Sequence, residues 1–123
     1  MKCVHDILLV EDDPVLGPLT AESLAGRGHR LTLAPTADEA FEHLRTPNHF
    51  TVMILDLQLG AVSGVDLVAR LHEANIFVPA VVVFSAQPAF ELMRAAKVIN
   101  ASGTLQKPCT VDQINHALQR LVA

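Results

Sequence analysis

The run Thr51-Val52-Met53-Ile54-Leu55-Asp56 sets the strongest limit on what this chain can fold into. Five residues suited to a strand buried on both faces end abruptly in a carboxylate. An acid at that point is expected at the carboxyl end of a central strand, the edge where open α/β sheets keep their active sites. Four other segments share the form. Val4–Val10 is apolar and closes on Glu11-Asp12-Asp13-Pro14, and Ala80-Val81-Val82-Val83-Phe84 ends in Ser85. His29–Ala34 alternates polar residues with Leu31 and Leu33, while Thr104-Leu105-Gln106 is short and ends at Lys107-Pro108.

Helical patterns separate these strands. The first places Leu16, Leu19, Ser23 and Leu24 at helical spacing, with Asp13 as candidate cap and Gly28 as terminator. Gly17-Pro18 does not suit a second turn, so a late start or a distorted first turn is expected. Thr36-Ala37-Asp38-Glu39 has the form of a capping box ahead of Ala40, Phe41 and Leu44. After Asp56 a loop over Leu57–Val62 leads to Ser63, the cap of a third helix burying Val65, Leu67, Val68 and Leu71. Pro88 opens a fourth that runs to about Ala101, with Asn100 as a left-handed terminator. Thr110-Val111-Asp112-Gln113 caps a fifth, which buries Val111, Ile114, Leu118 and Leu121.

Five strand–helix pairs imply a parallel sheet with right-handed crossovers. The first, third and fourth strands are continuously apolar; the second and fifth are not. That sorting fits a flavodoxin-like, doubly wound five-stranded sheet of order 2-1-3-4-5 with five helices.

The length of 123 residues suits one domain, 1–123, with no output domain. A chain with 50% apolar and 18% charged residues is not a disordered one. A net charge of -4 argues against nucleic-acid binding by the domain itself. No apolar run approaches the roughly 20 residues of a membrane span, and the start at Met1-Lys2-Cys3 opens no signal peptide. Cys3 and Cys109, expected at opposite ends of the sheet, read as free thiols of a reducing cytoplasm. The six histidines show no ligand spacing and read mostly as surface residues, and Val98-Ile99 reads as core in preference to partner surface.

The carboxyl ends of parallel strands share one edge, which would gather Glu11, Asp12, Asp56, Ser85 and Lys107. Taken singly, each has an ordinary reading as cap, turn former or solvated charge. Together, four of five strands deliver a polar group to one place. Three crowded carboxylates repel, which raises at least one pKa unless a cation is present. Glu11, Asp12, Asp56 and Lys107 sum to -2, which one Mg²⁺ would neutralise, and hard oxygen ligands suit that ion. A phosphoryl group would then fit among the metal, the Lys107 ammonium and the Ser85 hydroxyl, with Asp56 as nucleophile.

These motifs resemble the receiver domain of two-component response regulators. The matching stretches are Ile7–Pro14, Met53-Ile54-Leu55-Asp56-Leu57 with Gly64, Phe84-Ser85-Ala86, and Lys107-Pro108. The resemblance implies a phosphoacceptor switch in which Asp56 takes phosphoryl from a histidine kinase or phosphotransfer protein in a Mg²⁺-dependent reaction. It implies that Asp12, Asp56 and the Gln58 carbonyl bind Mg²⁺, with Glu11 acting through a metal-bound water. Asp12-Asp13 is the weaker register for the acid pair. Ser85 and Lys107 would contact the phosphoryl group, and Lys107-Pro108 would match a bond that is often cis. Such a chain is no enzyme beyond promoting its own phosphorylation and dephosphorylation, and its output passes to an unknown downstream protein.

Three departures stand out. Gly60 replaces the usual proline after the phosphoacceptor, Thr104 stands where a switch aromatic is common, and Gly17-Pro18 is unusual in the first helix. A degenerate receiver that binds partners without phosphorylation is the alternative, against which the intact acids, Ser85 and Lys107 argue. A flavin carrier lacks its phosphate-cradling loop. A two-aspartate phosphatase would want an acid where Gln58 stands.

Overall fold

The computed structural model of the chain describes residues 3–121. Met1 and Lys2, part of the start read as opening no signal peptide, lie outside the described residues. So do Val122 and Ala123, the last residues of the expected domain.

Twelve elements follow one another: β1 (Asp6–Val10), α1 (Leu16–Ala25), β2 (Arg30–Ala34), α2 (Ala37–Arg45), β3 (Val52–Asp56), β4 (Gln58–Leu59), β5 (Val62–Ser63), α3 (Gly64–Glu73), β6 (Ala80–Ser85), α4 (Ala89–Val98), β7 (Gly103–Gln106) and α5 (Val111–Gln119). The main sheet has the order β2-β1-β3-β6-β7, and every pairing in it is parallel. This is the expected doubly wound order, because β4 and β5 form a separate antiparallel pair.

Strand alternation divides the core into two layers. Leu8, Val10, Met53, Leu55, Val81 and Val83 face α2, α3 and α4, where they meet Ala40, Leu44, Leu67, Leu71 and Leu92. Ile7, Leu9, Val52, Ile54, Val82 and Phe84 face α1 and α5, where they meet Leu24, Ile114 and Leu118. A strand that packs helices on both faces needs no polar alternation, which is why β1, β3 and β6 read as unbroken apolar runs.

Three helix caps follow the sequence, whereas α1 has Val15 rather than Asp13 at its N-cap position and Gly26 rather than Gly28 at its C-cap. Thr36, Ser63 and Thr110 accept hydrogen bonds from the backbone N–H groups of Glu39, Val65 and Gln113, and Thr110 with Gln113 completes a capping box. The first helix starts late, at Leu16. That places Pro18 in its first turn, where a missing N–H leaves no bond unmade. Its buried stripe is Gly17, Thr20 and Leu24, so Leu19 and Ser23, expected inside, are exposed. Gly17 turns the helix this way because a Cβ there would meet the Leu33 side chain at 3.3 Å and the Glu11 carbonyl at 3.4 Å. Helix α4 ends at Val98 rather than near Ala101, with Asn100 at φ 55° as terminator. Ile99 is buried, whereas Val98, also read as core, is exposed.

Candidate functional site

Glu11 follows β1, Asp56 closes β3, Ser85 closes β6 and Lys107 follows β7, so one sheet edge receives all four. Alternation aims Asp56 toward the α1–α5 side, in phase with Val52 and Ile54. There Lys107 Nζ donates to Asp56 Oδ2 at 3.1 Å and makes a short contact with Glu11 Oε1. Asp56 Oδ1 accepts the Gln58 backbone N–H at 2.9 Å, which fixes the carboxylate plane. Glu11 is 2% and Asp56 4% exposed, while Asp12 is exposed beside them.

Burial raises the Glu11 pKa from 4.5 to about 7, and a hydrogen bond with Asp56 adds to the effect. The Lys107 contact alone would lower it, but desolvation outweighs that contact. Burial also works against the Lys107 ammonium, yet its bonds to Glu11 and Asp56 prevail and hold its pKa above the ordinary value. The raised pKa expected among these crowded carboxylates thus falls on Glu11, with burial as its main cause and charge repulsion from Asp56 as a smaller one.

One carboxylate oxygen from each of Glu11, Asp12 and Asp56 lies within 4.8 Å of the other two. This all-oxygen donor set, two-thirds buried and holding more negative charge than Lys107 cancels, fits a hard divalent cation. Asp13 is turned elsewhere. Its Oδ1 accepts the N–H groups of Val15 at 2.8 Å and Leu16 at 2.9 Å, and those bonds hold its pKa low. The cluster therefore uses the Glu11-Asp12 register.

Ser85 is fully buried but points away from this group. It is in phase with Val81 and Val83, toward α4, and its Oγ accepts the Gln87 backbone N–H at 3.2 Å. The peptide bond Lys107–Pro108 is cis.

The segment after Asp56 differs from the expected loop. Gln58–Leu59 and Val62–Ser63 pair as a hairpin around Gly60-Ala61. Gly60 sits at φ 66°, as the first position of a type II′ hairpin turn requires and as proline cannot adopt. Leu57 and Leu59 anchor the hairpin from below. Gly64 then lets α3 begin against the strand end, since a Cβ there would stand 2.5 Å from the Asp56 carbonyl oxygen.

Two features escaped the sequence. Phe84 lies under Lys107, with Nζ 4.8 Å from the ring centroid, and the β6–β7 register was the only signal for it. At the opposite end of the sheet, His5 and His29 are both buried. The His5 N–H donates to His29 Nδ1 at 3.0 Å, and His29 Nε2 meets Asn115 Oδ1 at 2.7 Å. His5 Nε2 reaches the Leu118 carbonyl at 2.9 Å, which ties α5 to β1. These two histidines, read as surface residues, are structural; His43, His49, His72 and His116 are exposed as expected.

The family model described as the response regulator receiver domain matches residues 7–119. The chain belongs to this family. As a receiver domain it is a signalling module of two-component systems rather than a conventional enzyme. It is 26% identical over 114 residues to the transcriptional regulatory protein CrdR of Helicobacter pylori, covering 93% of this chain and 53% of that protein. The chain spans about half the length of the first curated relatives it matches. Among solved structures, a response regulator of Burkholderia pseudomallei with a phosphorylated aspartic acid and a calcium ion is 28% identical, with TM-score 0.78, covering 94% of this chain and 66% of that one. The response regulator TrrA of Thermotoga maritima in complex with Mg²⁺ and beryllofluoride has TM-score 0.78 at 20% identity, covering 99% of this receiver and 100% of that chain, a likeness of fold alone. No helix among the described residues is long and apolar enough to cross a membrane.

Proposed function

We propose that this receiver domain accepts phosphoryl on Asp56 from a phosphohistidine of a histidine kinase or phosphotransfer protein, and passes the signal to a downstream protein. The observation that carries the reading is the Asp56 carboxylate, buried and held by the Gln58 N–H and the Lys107 ammonium beside two further acids. An Asp56 oxygen attacks phosphorus, the P–N bond to imidazole breaks, and an acyl phosphate forms while the leaving imidazole takes a proton. The Lys107 ammonium stabilises charge on the phosphoryl oxygens, and the Ser85 hydroxyl donates to one of them once it turns from Gln87. Asp12, Asp56 and the Gln58 carbonyl would hold Mg²⁺, with Glu11 reaching it through water. Bound there, the ion supplies positive charge for the phosphoryl oxygens. The phosphorylated aspartate of the Burkholderia regulator supports the chemistry, and Mg²⁺ with beryllofluoride in TrrA supports the choice of cation.

Incubation with acetyl phosphate, with and without Mg²⁺, tests the reading by intact mass. Gain of one phosphoryl group by wild type in Mg²⁺, and none by Asp56→Asn, is the expected result. Absence of labelling in wild type would instead favour a partner-binding module that works without phosphorylation.

A further inference from the structure

Gln87, the last residue before the Pro88 cap of α4, is held from two sides. Its N–H donates to Ser85 Oγ at 3.2 Å, and its carbonyl accepts Gln106 Nε2 at 2.9 Å. Ser85 and Gln106 are partners in the β6–β7 ladder, and the Lys107 N–H donates to the Ser85 carbonyl at 2.8 Å. Gln106 is in phase with Thr104, opposite to Leu105, so its side chain leaves the sheet on the same side as that of Ser85. Two adjacent strand ends therefore grip one loop residue.

That residue governs a lightly anchored helix. Only Leu92 of the ten residues of α4 is buried, while Phe90 and Met93 are 69% and 66% exposed. A helix with so little buried apolar surface belongs to the low-stability end of a fold, where a single restraint weighs most. Thr104 offers no aromatic ring to brace the loop.

We infer that Gln106 is a positioning residue whose carboxamide, bonded to the Gln87 carbonyl, latches the β6–α4 loop in the resting state. The inference rests on the proposed function, because phosphorylation of Asp56 is what would draw the Ser85 hydroxyl away. When Ser85 turns to the phosphoryl group, Gln87 loses its acceptor there and the Gln106 bond breaks with it. The start of α4 is then free to shift. The latch opposes activation, because its bond must be broken on the way, so a chain without it switches more readily. A neutral hydrogen bond present in one state alone moves an equilibrium about 2- to 10-fold.

Gln106→Leu keeps the side-chain volume and removes the donor at an exposed position, where the fold has little to lose. Its thermal melt is recorded as a control on folding. Beryllofluoride binding in Mg²⁺, followed by amide spectra, should be about 2- to 10-fold tighter than in wild type. Without Mg²⁺ or beryllofluoride, the amides from Ala86 to Phe90 should already lie displaced toward their bound positions in both Gln106→Leu and Gln106→Glu. Wild-type binding with unchanged or weaker affinity in Gln106→Leu overturns the latch and leaves the phosphoacceptor reading intact. Ligand-free shifts confined to residues 105–107 in both variants also overturn it. If wild type itself binds no beryllofluoride, the reading of Asp56 fails and the latch with it.

Discussion

Gly64→Ala sets two opposing effects against each other. At the first position of α3, alanine in place of glycine would ordinarily stabilise the helix by about 0.5–1 kcal/mol. The added Cβ, however, would stand 2.5 Å from the Asp56 carbonyl oxygen, 3.0 Å from Leu55 Cγ and 3.2 Å from Leu57 Cα. Ordinary contact begins at 3.4 Å, so the nearest atom must retreat by about 0.9 Å, and it is backbone at the end of a central strand. Overpacking of this kind costs about 1–3 kcal/mol, which outweighs the helix gain. The net loss of up to about 2 kcal/mol lowers the urea midpoint by as much as roughly 1 M with little change in slope. Far-ultraviolet circular dichroism is the suitable probe, because the chain has no Trp or Tyr. Labelling of Asp56 by acetyl phosphate should slow in the same variant, since relief of the clash displaces the strand end that carries the carboxylate. A midpoint equal to or above that of wild type would refute the packing argument, for it would mean the helix gain prevails.

Three further outcomes are expected. The raised Glu11 pKa has a definite sign: the folded chain holds that proton more tightly than the unfolded one, so the contribution of Glu11 to metal-free stability is full below 4.5 and is lost as pH rises through about 7. Protons and divalent cations compete for the same carboxylates, so Mg²⁺ affinity by titration calorimetry should fall about tenfold between about pH 8 and about pH 6; a flat profile would show Glu11 to be uncoupled from the cation. His29→Leu removes the acceptor of the His5 N–H and the partner of Asn115, and should cost about 1–3 kcal/mol in urea unfolding with acetyl phosphate labelling unchanged. An unaltered midpoint would show the buried histidine pair to be dispensable.

The sheet order could be read from the sequence because burial on both faces leaves β1, β3 and β6 without polar interruptions and leaves β2 and β7 mixed. The site could be read for a related reason: a parallel sheet brings its strand ends to one edge, so Glu11, Asp56, Ser85 and Lys107 needed no long-range contact information. What escaped depends on contacts that periodicity does not encode. Strands of two residues, such as Gln58–Leu59, are too short to show a period, and only the positive φ of Gly60 discloses the hairpin. The burial of His5 and His29 depends on α5 crossing the sheet end, which neither residue's neighbours announce. Leucine spacing points to the wrong face of α1, because the small residue Gly17 is the one that marks close approach. The direction of Ser85, toward Gln87 rather than Asp56, follows from strand phase and was open to the same reasoning.

Location of the phosphoryl group itself tests the proposed chemistry most directly. Brief labelling with acetyl phosphate in Mg²⁺, followed by hydride reduction, converts an aspartyl phosphate into homoserine at the acceptor position. Peptide mapping should find homoserine at position 56 and nowhere else. Homoserine at position 12 or 13, or an unmodified peptide from a folded, Mg²⁺-bound chain, would contradict Asp56 as the phosphoacceptor.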